Sequence, residues 1–368
     1  MQKHWLVLFT LLLLTSCAKS GQNQIKIGFV ADLTGNLANL GAEERLGTEI
    51  ARDQINAEGG IQGRPIEIIF EDGRCSPKEA TSAANKLINI DQVKVILGGT
   101  CTGESMAISK LTNESKIIQL SAVTSGSVYS NTGEWTFRTN PVDNAKDLVA
   151  HLLDKGYAKL ALLNEQTDFS QSIRKDFKKW ATESGTEIVA DENFDSEASD
   201  VRTQLTKMKA ANPDAYFLNT NSGTVGVIIA KQAKELGLAP LYGSRGYEAA
   251  KASEYPEILE GMIFYGTAGV VNSETPQARK LFDDYHKKTG KTPFSAFAVA
   301  SRYDGLKLIA KAMQQCGEDT NCIKDWLYNM PPYEGVIGTF TFDSNGDPIG
   351  IKYAFSAFKD GNVVPLEE

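Results

Sequence analysis

Val93-Lys94-Val95-Ile96-Leu97-Gly98-Gly99-Thr100-Cys101-Thr102-Gly103-Glu104-Ser105 passes from an apolar run through a glycine-rich loop into Met106-Ala107-Ile108, which reads as the start of a helix. A buried strand that ends in such a loop and opens a helix leaves several backbone N–H groups unpaired at one point. Those donors, with the Thr100 and Thr102 hydroxyls, can hold an anion such as a carboxylate. Gly99-Thr100-Cys101-Thr102-Gly103 also has the Gly-x-nucleophile-x-Gly spacing of a hydrolase elbow. The loop is therefore a binding site or a catalytic one, and the rest of the chain has to decide between them.

On either side of it the pattern alternates short apolar runs with amphipathic ones. Ile25 to Ala31, Ile66 to Phe70, Val93 to Leu97 and Ile117 to Leu120 read as strands. The stripe Leu46, Ile50, Ala51, Ile55 marks a helix that Gly59-Gly60 stops. Strands apolar on both faces and separated by helices imply a parallel sheet covered on both sides. After a break at Phe137 to Pro141 the alternation restarts. Leu160 to Leu163, Glu187 to Ala190 and Ala215 to Leu218 read as strands, with helices at Ser170 to Glu183, Val201 to Ala210 and Gly223 to Leu236. A second passage follows at Met262 to Tyr265, then three helical segments. Gly338 to Phe342, the turn Asp343-Ser344-Asn345-Gly346 and Ile351 to Phe358 read as a hairpin. The fold class expected is α/β, with two βαβ-type lobes in succession.

The chain has 368 residues and a formal charge of −8, with no lysine- or arginine-rich run, which argues against nucleic acid as a partner. Residues 1–16 read as a leader. Lys3 and His4 form a polar start, and the apolar run Trp5 to Leu14 is too short to span a bilayer. Leu14-Thr15-Ser16-Cys17 resembles a bacterial lipobox, in which Cys17 becomes the lipidated first residue and residues 17–24 a tether. The mature chain is expected to be exported, facing the periplasm or the cell exterior, and anchored to a membrane by that lipid. Ala18 after the cysteine resembles the outer-membrane sorting pattern of diderm bacteria.

Export changes the meaning of Cys75, Cys101, Cys316 and Cys322. Four cysteines in an oxidising compartment suggest two disulfides, with three possible pairings. Cys316 and Cys322 enclose only five residues, so the simplest pairing staples them locally and leaves Cys75 with Cys101. The hydrolase reading needs a histidine. His286 lies in the charged run Tyr285 to Lys288 and His151 between Ala150 and Leu152, both better suited to helix faces than to catalysis. No Walker loop, dinucleotide glycine fingerprint or zinc spacing occurs, so no cofactor or metal is expected. Asp343 to Asp347 looks like a calcium loop but has Ala354 at the twelfth position, so it reads as a turn.

In open parallel sheets, ligands bind beyond the carboxyl ends of the strands. That rule selects Gly99 to Glu104, Ser121 to Ser125, Glu165 to Ser170, Asn219 to Thr224 and Gly243 to Gly246, all carrying small hydroxyl or amide residues. Taken singly each reads better as a helix N-cap, but two Ser/Thr clusters on successive strands of one lobe favour convergence.

With these features in view, the chain resembles the branched-chain amino-acid-binding proteins of bacterial ABC transporters. The resemblance rests on Ile25 to Gly28 with Leu33-Thr34-Gly35, Asp53 to Ile61, Glu71 to Pro77, Gly98 to Thr102, Phe137-Arg138-Thr139 and Tyr303-Asp304. It implies a type I periplasmic-binding fold, two Rossmann-like lobes joined by three crossovers with the ligand cleft between them. The crossovers would fall near Asn140, Tyr265 and Gly338. Lobe one would then comprise 25–140 and 266–338, and lobe two 141–265 and 339–368. The resemblance also implies a Cys75–Cys101 disulfide, a hydroxyl and N–H from Thr102 on the ligand's head group, and a carbonyl from Val123 and hydroxyl from Ser125, with Thr124 between. From lobe two, Phe169 would cover the ligand, and Asn221 stands where relatives often carry a tyrosine.

Two positions depart from the pattern. An aromatic that flanks the ligand is Leu40 here, and the acidic residue that receives the ligand's ammonium aligns with Arg245. An arginine about 4 Å from an ammonium would cost on the order of 4 kcal/mol at an effective dielectric near 20, roughly a thousandfold in affinity. Either Glu248 or Asp168 supplies the missing carboxylate, or the ligand lacks an ammonium and Arg245 holds a second anionic group, or Arg245 points to solvent. The expectation is a monomeric, non-catalytic, lipid-anchored solute-binding protein that serves an ABC permease and captures a small amino acid or related carboxylate by hinge closure. Thr100, Thr102, Val123, Thr124, Ser125, Phe169, Asn221 and Arg245 would line its site. The alternatives are a ligand-sensing domain for a separate receptor and a secreted cysteine hydrolase using Cys101.

Overall fold

The apolar runs around the glycine-rich loop become adjacent strands in the computed structural model, which describes residues 24–35, 37–143, 145–267 and 274–366. The leader, Cys17 and the tether up to residue 23 lie outside the described residues. In the first lobe the order is β1 (Ile25–Ala31), α1 (Ala38–Ala57), β2 (Ile66–Asp72), α2 (Pro77–Asn89), β3 (Val95–Leu97), α3 (Thr102–Ser115), β4 (Ile118–Ser121) and β5 (Thr136–Arg138). The sheet is parallel, with strand order β2-β1-β3-β4-β5. β5 overlaps the start of the stretch that reads as a break in the sequence. It has three residues, and Phe137 pairs with Leu120 of β4.

The second lobe holds α4 (Lys146–Asp154), β6 (Lys159–Glu165), α5 (Asp168–Ser184), β7 (Glu187–Phe194), α6 (Arg202–Ala210), β8 (Ala215–Asn219), α7 (Gly223–Glu235), β9 (Leu241–Gly243), α8 (Pro256–Leu259) and β10 (Ile263–Gly266). The chain then returns to the first lobe with α9 (Pro276–Thr289), α10 (Ala296–Cys316) and α11 (Thr320–Asn329). α10 is buried on nearly every face. α1 lies so close to it that a Cβ on Gly47 would stand 2.1 Å from the Val299 carbonyl oxygen. Only glycine fits that contact.

Three short strands follow, β11 (Tyr333–Gly335), β12 (Gly338–Phe342) and β13 (Pro348–Ile349), before β14 (Ala354–Lys359) and β15 (Asn362–Pro365) complete the second sheet. That sheet has the order β15-β14-β10-β9-β8-β6-β7, with β14 and β15 antiparallel at one edge. The expected hairpin between 338–342 and 351–358 does not form. β12 pairs with β11 and β13, and β14 pairs with β10. Phe340 and Phe342 point into the first lobe's core, their rings 5.5 Å from Tyr333 and 5.1 Å from Phe137. The third crossover therefore comes after Ile349, not near Gly338, because those alternate aromatics bind β12 to the first lobe.

Disulfides join Cys75 to Cys101 and Cys316 to Cys322. The Asp343–Asp347 segment is a turn, as its residues suggest. Asp343 Oδ1 accepts from the Asn345 and Asp347 amides at 2.8 and 2.9 Å.

Candidate functional site

The glycine-rich loop satisfies most of its own donors. Glu104, in the first turn of α3, accepts from the Thr100 and Cys101 amides, both at 2.9 Å, and from the Cys75 amide at 3.2 Å. Burial pushes its carboxyl up to about 7, against the pull of those N–H bonds. The Thr100 hydroxyl donates to Glu44 at 2.6 Å and accepts from the Asp32 amide. The expected anion cradle is thus partly filled by the chain itself. The signal was present, since Cys101 and Glu104 have the spacing of a capping box. What remains open is Thr102. As the first residue of α3 its N–H has no acceptor within the helix, and its buried Oγ1 has no hydrogen-bond partner.

The next loop divides similarly. The Thr124 hydroxyl is committed to Ser105 at 2.5 Å, whereas the buried Ser125 Oγ has only the Tyr353 hydroxyl beside it. The Val123 carbonyl accepts twice, from Asn140 Nδ2 at 2.7 Å and from Arg245 Nη1 at 2.9 Å. A carbonyl oxygen has two lone pairs, so both are in use.

Three elements of the second lobe face these loops. Phe169 sits buried in the first turn of α5, after Thr167 caps the Ser170 amide. Asn221 follows β8, its own amide donating to Glu165 at 2.6 Å and its Nδ2 resting on the Cys75 and Cys101 sulfurs at 3.8 and 3.7 Å. Arg245 follows β9 and points into the cleft, with its side chain only 13% exposed. Its guanidinium carbon lies 5.1 Å from the Phe297 ring centre, and its Nε is 3.3 Å from Glu248 without a hydrogen bond. Glu248 is in turn fixed by the Thr267 hydroxyl and amide at 2.6 and 3.2 Å. Behind Arg245, burial pushes Asp143 up to about 7, with Arg245 pulling the other way.

The lobes touch elsewhere too. Asp168 rests against the first turn of α3, so close that a Cβ on Gly103 would stand 2.3 Å from its Oδ2. A carboxylate at a helix N-terminus is favourably placed. Ser127 hydrogen-bonds Asp176 and Ser172 across the same boundary.

All eight residues singled out in the sequence line one cavity of about 40 Å³. Thr100 and Thr124 do so with their hydroxyls already engaged. Leu40 lines it at the position of the missing aromatic, together with Leu37 and Ser295, which no motif marked. Of the two candidate replacement acids, Glu248 reaches this cavity, and Asp168 lines a larger adjoining space. Among the described residues, no group of three or more His, Cys, Asp or Glu is arranged to hold a metal ion.

The hydrolase alternative fails on its nucleophile. Cys101 is joined to Cys75 and offers no thiolate. His286 is on α9 beside the Lys291 carbonyl, and His151 stacks on Phe355 with centroids 4.0 Å apart.

A family model described as periplasmic binding protein matches residues 24–362. The chain belongs to that family. As a periplasmic binding protein it is a solute-binding protein and not an enzyme, and the resemblance to branched-chain amino-acid-binding proteins holds across its length. The leucine-, isoleucine-, valine-, threonine- and alanine-binding protein of Pseudomonas aeruginosa is 26% identical over 332 residues, 88% of this chain and 87% of that one. The branched-chain amino-acid transporter substrate-binding protein of Streptococcus pneumoniae, solved with isoleucine, is 27% identical with a TM-score of 0.81, covering 92% of this chain and 97% of that one. A solute-binding protein of R. palustris in complex with benzoate matches in fold, with a TM-score of 0.81 at 20% identity over 93% of this chain and 95% of that one.

Proposed function

We propose that this periplasmic binding protein is the lipid-anchored, monomeric capture component of an ABC importer, and that its ligand is a small carboxylate without a free α-ammonium. The leader that ends just before Cys17 supports export and anchoring, and the transporter-associated relatives support a permease as partner. The observation that carries the ligand class is the Arg245 guanidinium on the Val123 carbonyl. A ligand ammonium would have to displace this cation or lie beside it, with no lone pair left on Val123 and with Glu248, the acid that lines the same cavity, already paired to Arg245 at 3.3 Å.

A carboxylate meets the opposite conditions. The buried Thr102 Oγ1 has no hydrogen-bond partner, Ser125 Oγ has only the Tyr353 hydroxyl, and Arg245 Nε has only a 3.3 Å ion pair with Glu248; all three belong to residues lining the cavity. Leaving a buried donor unpaired costs about 1–3 kcal/mol, so an anion that pairs Thr102 regains most of that and completes the bonding of the other two. In this mechanism Thr102 and Ser125 receive the carboxylate in the open form. Closure then brings Phe169, Asn221 and Arg245 over it, and contacts made only when closed shift the population. The lobes move about the strands near Asn140, Thr267 and Gly350.

Calorimetric titration of the mature protein with leucine and with isocaproate (leucine without its amino group) tests the ligand class. Isocaproate should bind more tightly than leucine. Tight leucine binding that survives Arg245→Ala would overturn the proposal.

A further inference from the structure

The 40 Å³ cavity between the two lobes' loops has room for about three waters, enough for a carboxylate group and little more. One of its walls adjoins a second space of about 590 Å³, which is within the size range of ligand pockets. Thr102, Phe169 and Asn221 line both, so these three side chains form the partition. The partition is soft at Asn221. The Asn221 side-chain Nδ2 rests only on two disulfide sulfurs, at 3.7 and 3.8 Å, and sulfur is a weak acceptor. The opposite side of the small cavity is firm, since Arg245 is bonded to Val123 and Glu248 is tied to Thr267.

The larger space has a distinct chemistry. Gln166, Thr167, Asp168, Asn193 and Ser196 face it, a lining of amides, hydroxyls and one carboxylate. Such a wall suits a neutral body that both donates and accepts hydrogen bonds. An amide does both, and an amide nitrogen on the α-carbon is also uncharged, as the occupied Val123 carbonyl requires.

We propose that the ligand is an N-acylated amino acid or the carboxyl end of a very short peptide, held by its carboxylate in the small cavity with its amide-bearing body running past Asn221 into the polar vestibule. This rests on the carboxylate reading above. N-acetylleucine, isocaproate and leucine titrated into the mature protein, and into Ser196→Trp and Gln166→Trp, test it. Both positions are partly exposed and lie on the vestibule wall away from the carboxylate donors, so the two variants check each other for folding. N-acetylleucine should bind at least about tenfold more tightly than isocaproate in the wild type, and both tryptophans should abolish that advantage while isocaproate changes less than about twofold. Equal binding of N-acetylleucine and isocaproate, or an advantage that persists in both variants, overturns the vestibule while leaving the carboxylate reading intact. Leucine binding more tightly than either overturns both.

Discussion

Arg138 and Arg245 are both largely withdrawn from water, but their surroundings differ. In the first lobe, Arg138 is fully buried and answered on every side. Its Nε donates to Asp347 at 2.6 Å, Nη1 to the Gly126 carbonyl at 2.9 Å and Nη2 to Ser130 at 2.6 Å. Arg245 in the cleft makes one hydrogen bond to a carbonyl and one 3.3 Å ion pair with a carboxylate that Thr267 also holds, and its Nε makes no hydrogen bond. Saturation marks an arginine that holds the fold. An arginine held in place but short of partners marks a site prepared for something else.

The largest effect expected from this contrast is on stability. Arg138→Ala would strand Asp347 beside a buried strand, and breaking a buried pair this way costs about 3–5 kcal/mol. Urea unfolding should show that loss. An Arg138→Ala protein as stable as wild type would mean that saturation of hydrogen bonds does not separate the two arginines.

Arg245→Ala should do the reverse, with little change in unfolding and a clear loss of carboxylate binding. A hydrogen bond to a charged group contributes about 1.5–3 kcal/mol, hence an affinity loss of about ten- to hundredfold by calorimetry. Arg245→Glu sharpens the point, since it frees one lone pair of Val123 and restores an acid, so leucine should then outbind isocaproate. Unchanged preference in that variant would remove Arg245 from ligand choice.

Smaller still is the contrast between two threonines one turn of loop apart. Thr102→Val removes an unpartnered hydroxyl and should weaken carboxylate binding by about 1 kcal/mol, roughly fivefold, with stability held. Thr100→Val removes the donor to Glu44 and the acceptor for Asp32, so its cost should appear in unfolding and not in affinity. If both variants lose affinity equally, the internal bonding of Thr100 does not set it apart from Thr102.

These pairs also show what the sequence could and could not carry. β1, β3 and β4 were legible because they are buried almost throughout and mostly apolar, interrupted only by Lys26 in β1 and by Gln119 and Ser121 in β4. The site loops were legible because they sit at the carboxyl ends of such strands. The third crossover was not, because Phe340 and Phe342 alternate as any half-buried strand does, and alternation does not say which sheet receives it. Nor was the direction of Arg245, whose carbonyl partner lies 122 residues away, or the Asp347 that saturates Arg138 from 209 residues away. Long-range partners decide those roles, and spacing along the chain carries no trace of them.

The carboxylates extend the comparison to pH. Burial pushes Asp32 up to about 6 and Glu43, Glu104, Asp143 and Asp304 up to about 7, with Asp143 standing behind Arg245. In the unfolded chain such groups titrate near 4. Between those values the folded form binds more protons than the unfolded one, so stability falls as pH rises through this window. Each group's contribution is fully present below its unfolded value and is lost as pH climbs past its folded one. Melting temperature should therefore be higher near pH 5 than near pH 7.5, by a few degrees. Asp143→Asn should flatten part of that slope because its amide cannot ionise beside Arg245, while Arg138→Ala should lower the whole curve and steepen its fall, because the stranded Asp347 then resists ionising. A wild-type melting temperature that rises across the same window would show that the arginines and backbone amides around these carboxyls outweigh their burial. The contrast between a saturated and an unsaturated arginine would then have to be redrawn with ionised acids on both sides.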